Sequence, residues 1–183
     1  MDDVATLLDA IHFAADKHRY QRRKDPDSTP YINHPLSLAE LLARVGGVRD
    51  PVVLIAAVLH DTVEDTKTTF DEIEARYGAE VRGVVAEVTD DKTLAKPVRK
   101  EQQVEHAAHA SPRAKLVKLA DKICNVMDVT DHAPPDWQRE RRSEYLDWSA
   151  RVVDGCRGTN AVLEAEFDRV LARGREVLGG DAV

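Results

Sequence analysis

Apolar positions along most of the chain recur every three or four residues, a spacing that predicts helices. Val4, Leu7, Leu8, Ile11, Ala14 and Ala15 mark a first amphipathic helix over roughly 3–19. Residues 20–33 are polar, contain Pro26 and Pro30, and read as a loop. His34-Pro35 opens a second helix through about Val45, with Pro35 suited to a first turn and Gly46-Gly47 ending it. Asp50-Pro51 caps a third, whose run Val52–Leu59 is apolar on every side, as in a helix buried all round. The β-branched residues in this run leave a buried strand as the competing reading. The polar continuation His60 to Asp65 and the lack of nearby strand partners favour helix.

Thr69-x-x-Glu72 has the capping-box pattern, and Gly78 follows the short helix that it starts. Helices are then expected from Ala79 to about Thr89, from about Val98 to His109, and from Ser111-Pro112 to about Val129. The stretch 90–97 between the first two of these is a polar loop. After a break at Asp131 to Pro135, two more helices follow at about 136–156 and 160–178. Eight to ten helices with no convincing strand predict an all-α bundle.

Composition bounds what such a bundle does. A chain of 183 residues is one domain in length, expected to span 1–183. Its 33 acidic and 26 basic residues leave a net charge of −7, which argues against coating nucleic acid or an anionic membrane. Aromatic residues at 5% are few for a base-stacking surface. The longest apolar run, Pro51–Leu59, is well short of the ~20 residues of a membrane span. Met1-Asp2-Asp3-Val4 has no basic signal-peptide start, so a cytoplasmic protein is expected. With only Cys124 and Cys156, no disulfide framework is available, and both read as core thiols.

The informative residues are the polar ones inside the apolar helices. His60 and Asp61 follow eight consecutive apolar residues. A buried carboxylate is costly unless it is paired or bound to metal. Neighbours on a regular helix diverge by about 100°, so this pair shares one cation only if the helix is distorted or ends there. His60 and Glu64 are four apart, as are Asp61 and Asp65, which predicts all four along one end of one helix. Asp121 repeats the anomaly. Leu116, Leu119, Ala120, Ile123 and Met127 form the apolar stripe of its helix, and Val117, Asp121 and Asn125 form the next stripe. His34 stands at a helix start. Two His and two Asp can close around a divalent cation and leave positions open for water and substrate. Imidazole with carboxylate suits Mn²⁺, Fe²⁺ or Zn²⁺. Each residue alone has a plainer explanation: His60 as a satisfied core histidine, Asp121 as an ion-pair partner of Lys115, Lys118 or Lys122 on a solvated face, Glu64-Asp65 as a helix-end acidic patch. The pattern His-Asp-x-x-Glu-Asp behind a buried run weakens all three together.

Positive charge is clustered despite the acidic total. Lys17-His18-Arg19 precedes Arg22-Arg23-Lys24; Lys92, Lys96, Arg99 and Lys100 surround the 90–97 loop; Arg139, Arg141 and Arg142 open the penultimate helix. Most of these suit solvated helix faces. The loop clusters can aim several cations at one ligand, and beside a divalent metal they suit a small phosphate ester.

Four blocks in order, Arg22-Arg23-Lys24-Asp25-Pro26, Thr29 to Pro35, Leu59-His60-Asp61-Thr62-Val63-Glu64-Asp65, and Lys118 to Lys122 with Asn125, resemble the HD-domain hydrolases of the RelA/SpoT-homologue family. The likeness runs from about residue 8 to 165 and is greatest to the small, hydrolase-only branch. Val88 to Leu94, Tyr145 and Trp148 are similar to that branch as well. The resemblance implies a (p)ppGpp 3′-pyrophosphohydrolase, usually with Mn²⁺, giving GDP or GTP and pyrophosphate. It implies His34, His60, Asp61 and Asp121 as metal ligands, and Glu64 and Asp65 as the pair that orients and activates water. It implies Arg23 against the guanine ring with Lys24 beside it, and Asn125 on the nucleoside; Lys96 and Tyr145 are looser matches to substrate contacts. Met127 departs from the family, where Arg is common. At this length no synthetase domain is expected, an oligomer is compatible, and the partner is a small nucleotide. The competing readings are an HD enzyme acting on another nucleotide, such as removal of the NADPH 2′-phosphate, and a nucleotide-sensing HD module without catalysis.

Overall fold

The computed structural model describes residues 3–180. Among them the elements are α1 (Asp3–Lys17), α2 (Asn33–Arg44), α3 (Pro51–Leu59), α4 (Thr62–Asp65), α5 (Phe70–Val88), α6 (Lys96–His109), α7 (Pro112–Asp131), α8 (Arg139–Asp154) and α9 (Ala161–Gly180). The fold is all-α, and the one β-type contact is an isolated antiparallel bridge between Arg22 and Pro30.

The starts obey the expected chemistry. Asp50 accepts from the Val52 N–H, Thr69 from the Glu72 N–H and Ser111 from the Ala114 N–H, so three orphan donors are satisfied by side chains. The apolar run is helical, as α3. It packs against α1, α2, α5 and α7 at the centre of the bundle, which is why no polar face is left on it. Val53, Ala56, Ala57, Val58 and Leu59 are fully buried.

The two helices expected around Gly78 meet there at a kink within α5, where Gly78 has φ +87° and ψ 168°. Only glycine takes that conformation without strain. The 90–97 loop is shorter than expected, because α6 starts at Lys96 with Pro97 in its first turn. On α7, Met127 is 39% exposed rather than core, whereas Lys118 and Lys122 are 8% and 5% exposed rather than solvated. Helix α8 starts at Arg139, three residues later than expected, because 132–138 remain outside regular structure.

Helix α9 packs on α7 and α8, and α6 packs on α8. Between α6 and α8 lies a small second core of Ala107, Trp148, Val152 and Cys156. Cys124 and Cys156 are both buried free thiols, and burial pushes the Cys124 thiol up to about 12. Gly155, just past the end of α8, lies close against α6. A Cβ there would meet the Ala108 backbone N at 2.7 Å and the Ala107 Cβ at 2.8 Å. Gly155→Ala is therefore expected to destabilise the protein by about 1–3 kcal/mol. Urea denaturation followed by circular dichroism checks this; an unchanged midpoint would show that α6 and α8 separate freely.

Candidate metal centre and nucleotide cleft

The bundle centre breaks where the chemistry lies. Helix α3 ends at Leu59 and α4 starts at Thr62, so His60 and Asp61 occupy the junction. Asp61 has φ −98° and ψ −3°, away from regular helix. The exposed carbonyls are met locally: His60 Nδ1 donates to the Ala57 carbonyl at 2.8 Å and Thr62 Oγ1 to the Leu59 carbonyl at 2.6 Å. The condition for His60 and Asp61 to face one point is thus met, because the helix ends there. Glu64 and Asp65 belong to α4, so the four do not share one helix as expected.

A carbonyl only accepts, so His60 Nδ1 carries a hydrogen and Nε2 is the atom turned to the site. Nε2 is buried and has no hydrogen-bond partner. Asp61 Oδ2 lies 2.9 Å away, close but not aligned for a hydrogen bond, and Asp121 Oδ1 lies 3.8 Å away. His34 Nε2 is 3.1 Å from Asp121 Oδ1. The ligand atoms of His34, His60 and Asp121 all lie within 4.8 Å of one another, and Asp61 adjoins them through His60. Atoms about 2.0–2.2 Å from a shared metal are separated by about 3 Å or a little more.

Electrostatics point the same way. Burial alone would raise the Asp61 and Asp121 carboxyls; His60 beside the first and Lys122 beside the second more than offset it and hold both well below the usual range. Burial alone would lower His60, but Asp61 and Asp121 push it up to about 9. The field that holds a proton on Nε2 would also hold a cation there. The donor set, two imidazoles and two ionised carboxylates, fits a divalent metal.

Outer partners hold these ligands in place. Asn125 Nδ2 donates to Asp121 Oδ1 at 2.7 Å, and Lys122 Nζ lies 2.8 Å from Asp121 Oδ2. The Tyr31 hydroxyl donates to Asp61 Oδ2. Glu64 Oε2 accepts from the Asp90 backbone N–H at 3.0 Å, and Arg99 Nη1 is 3.7 Å from Glu64 Oε1. Burial pushes the Glu64 carboxyl up. Asp65 accepts from Gln21 Nε2 at 2.8 Å and pairs with Lys92.

Two cavities meet here and share Arg23, Tyr31, Asn125 and Tyr145 as walls. The inner one, about 220 Å³, is lined by His34, His60, Asp61, Glu64 and Asp121. The outer one, about 260 Å³, is lined by Lys24, Asp65, Asp128 and Trp137. Arg23 lies over the Tyr31 ring at 5.6 Å, donates to Asn125 Oδ1 at 3.2 Å and pairs with Asp128. Burial pushes the Tyr145 hydroxyl up to about 12, so it stays protonated. Lys96 is exposed and lines neither cavity; burial, then Arg141, Lys24 and Arg99, lower its pKa, which places it in a cationic rim.

Tyr31, Asp90, Gln21, Asp128 and Lys122 were not singled out from the sequence for these contacts. Lys122 had a signal, since it stands next to Asp121 and one turn from Lys118. The contact of Asp90 with Glu64 spans 26 residues and rests on a backbone N–H, which no residue pattern records.

The HD domain family model matches residues 10–151. A protein of Xenopus tropicalis, named guanosine-3′,5′-bis(diphosphate) 3′-pyrophosphohydrolase MESH1, is 56% identical over 168 residues, 92% of this chain and 94% of its own. The Homo sapiens protein of the same name is 58% identical over 162 residues, 88% and 90% of the two chains. A solved metazoan orthologue of SpoT, described as hydrolysing ppGpp, superposes with a TM-score of 0.90 at 47% identity over 92% of this chain and 95% of that one.

Divalent-metal binding tests the centre. His60→Ala is expected to remove high-affinity Mn²⁺ or Zn²⁺ binding in calorimetry. Asn125→Ala, which loses only an outer partner of Asp121, should weaken it about 10- to 100-fold.

Proposed function

The chain belongs to the HD domain family, and from that premise we propose that it is a metal-dependent (p)ppGpp 3′-pyrophosphohydrolase. The observation that carries this reading is the joined pair of cavities, one with a cation-holding cluster and an acid, the other with an arginine and aromatic rings. His34, His60, Asp61 and Asp121 would hold the metal, with Mn²⁺ our assignment and Zn²⁺ or Fe²⁺ fitting the same donors. When bound, the metal supplies Lewis acidity and lowers the pKa of a coordinated water.

The residues of the chain do the rest. In the reaction, water oxygen bonds to the phosphorus attached to O3′ and the P–O3′ bond breaks. O3′ leaves with a proton as the hydroxyl of GDP or GTP, and the diphosphate departs as pyrophosphate. Glu64 faces the inner cavity and takes the proton from water, a role suited to a carboxyl that burial raises above its ordinary value. Asp65 orients that water from the other side. Arg23 offers a flat cation for the guanine face, and Tyr145 and Lys24 flank the nucleotide. Lys96, on the rim, meets the 5′-phosphates. Asn125 already spends its amide on Asp121 and Arg23, so its part is to tie the metal end to the base end as well as to touch the nucleoside. Residues 1–183 act as one unit with its core at about 8–165, working on soluble nucleotides of the cytoplasm. No helix among the described residues is long and apolar enough to cross a membrane.

Purified protein with ppGpp and Mn²⁺ should release GDP and pyrophosphate, resolved by anion exchange. A chelator should abolish the reaction. Asp65→Asn and Glu64→Gln should each lower kcat by about 10²- to 10⁴-fold. No GDP from the intact protein, or equal GDP without metal, overturns the reading. NADPH in parallel, scored by phosphate release, identifies the competing activity.

A further inference from the structure

Helix α7 lays out the site along its axis. Asp128 and Asn125 line the outer cavity, Asp121 belongs to the candidate metal centre, and Lys118 lies one turn further in. At 1.5 Å per residue, Lys118 is about 4.5 Å along the axis from Asp121 and about 10 Å from Asn125. That span suits a nucleoside 3′-diphosphate laid along the helix, with its base toward Asn125 and the cleaved phosphorus at Asp121.

Lys118 is unusual among the cations here. It is only 8% exposed and lines the inner cavity. Its neighbour Lys122 is bound to Asp121 and lies 4.5 Å from the centre of the Trp148 ring. Among the described residues the Lys118 side chain has no ion pair, hydrogen bond or ring contact. Of the other acids that line the inner cavity, Asp90 is engaged by Gln103 Nε2 at 2.7 Å and faces Arg99 at 3.8 Å, Glu64 accepts from the Asp90 backbone N–H, and Asp61 adjoins His60. A buried ammonium without a counter-ion is costly, and an arriving anion relieves that cost. Burial and then the Lys122 charge lower the Lys118 pKa, against smaller opposing pulls from Asp90 and Asp121, neither of which forms an ion pair with it.

We propose that Lys118 binds the outer phosphate of the 3′-diphosphate, and so selects a diphosphate over a single phosphate at this position. The inference rests on the pyrophosphohydrolase reading and names the residue that distinguishes its substrate from a monophosphate ester. Lys118 makes no bond to the reacting phosphorus. It binds the far end of the group that is transferred to water, and it holds pyrophosphate after cleavage.

The test is product inhibition of ppGpp hydrolysis by inorganic pyrophosphate and, separately, by GDP. Lys118→Met should weaken pyrophosphate inhibition about 10- to 100-fold, the scale of one charged hydrogen bond, and leave GDP inhibition within about twofold. Lys118→Arg should keep most of the pyrophosphate affinity, which shows that the charge matters, and it covers the case in which the Met variant does not fold. Mn²⁺ affinity should be unchanged in both. Unchanged pyrophosphate inhibition, or an equal loss for both products, overturns the proposal, the latter because it marks a structural role. Calorimetric binding of pyrophosphate to the Mn²⁺-loaded protein and its variants separates the two claims. If the intact protein does not cleave ppGpp, the activity reading fails, and the Lys118 comparison is still decided by binding.

Discussion

Two ionised carboxylates at the centre of a helical bundle set the terms for everything around them. Asp61 and Asp121 are kept charged in a place where charge is expensive, and positive groups have to be brought to them. Lys122 on α7 and His60 at the α3–α4 junction supply part of that charge, and His34 Nε2 on α2 lies 3.1 Å from Asp121 Oδ1. His60 even retains a proton against burial. A fold that went to this length for stability alone would do better with apolar residues at these positions, since replacing buried ions by well-packed hydrophobes is often neutral or stabilising. The arrangement makes sense as a site for a cation, with ligands already converged and their outer contacts in place.

The break after Leu59 is the backbone counterpart of that constraint. Helix α3 is apolar on all sides and packed by four neighbours, so its end cannot move far. It therefore delivers His60 and Asp61 to one point with little freedom. The Thr62 hydroxyl and the His60 ring close the frayed end and choose the imidazole tautomer in the same act. Capping and function use the same atoms here, and this is why the sequence shows such an abrupt change from apolar to polar at residue 60.

The helical architecture was legible because nearly every element has a cap, a proline or a glycine at its ends, and because α3 is too apolar for anything but the centre. His60, Asp61 and Asp121 stood out as polar residues in apolar company, and His34 by its place at a helix start beside Pro35. What sequence patterns handled badly was length-dependent or long-range. Lys118 and Lys122 look like an ordinary solvated lysine face, but both are buried, and α8 packs over α7 with its Trp148 ring 4.5 Å from Lys122 Nζ. Tyr31 and Asp128 act through contacts across the bundle that no spacing along the chain encodes. The break at Gly78 was legible too, since a glycine with φ +87° separates the two predicted helical segments within α5.

Net charge also reads differently at the scale of the site. A total of −7 opposes long polyanions, whose binding sums over an extended surface. A small polyphosphate samples only a few ångströms, and over that distance the balance is local. Here the inner acids are matched by Lys122 and His60 and would be matched further by a divalent cation, while Arg23, Lys24 and Lys118 stand along the path from the outer to the inner cavity. The acids that make the protein negative overall thus serve to concentrate positive charge where a phosphate would sit. The surplus of negative charge elsewhere on the surface then disfavours larger anions, so the same composition that excludes a nucleic-acid strand is compatible with a tightly held nucleotide.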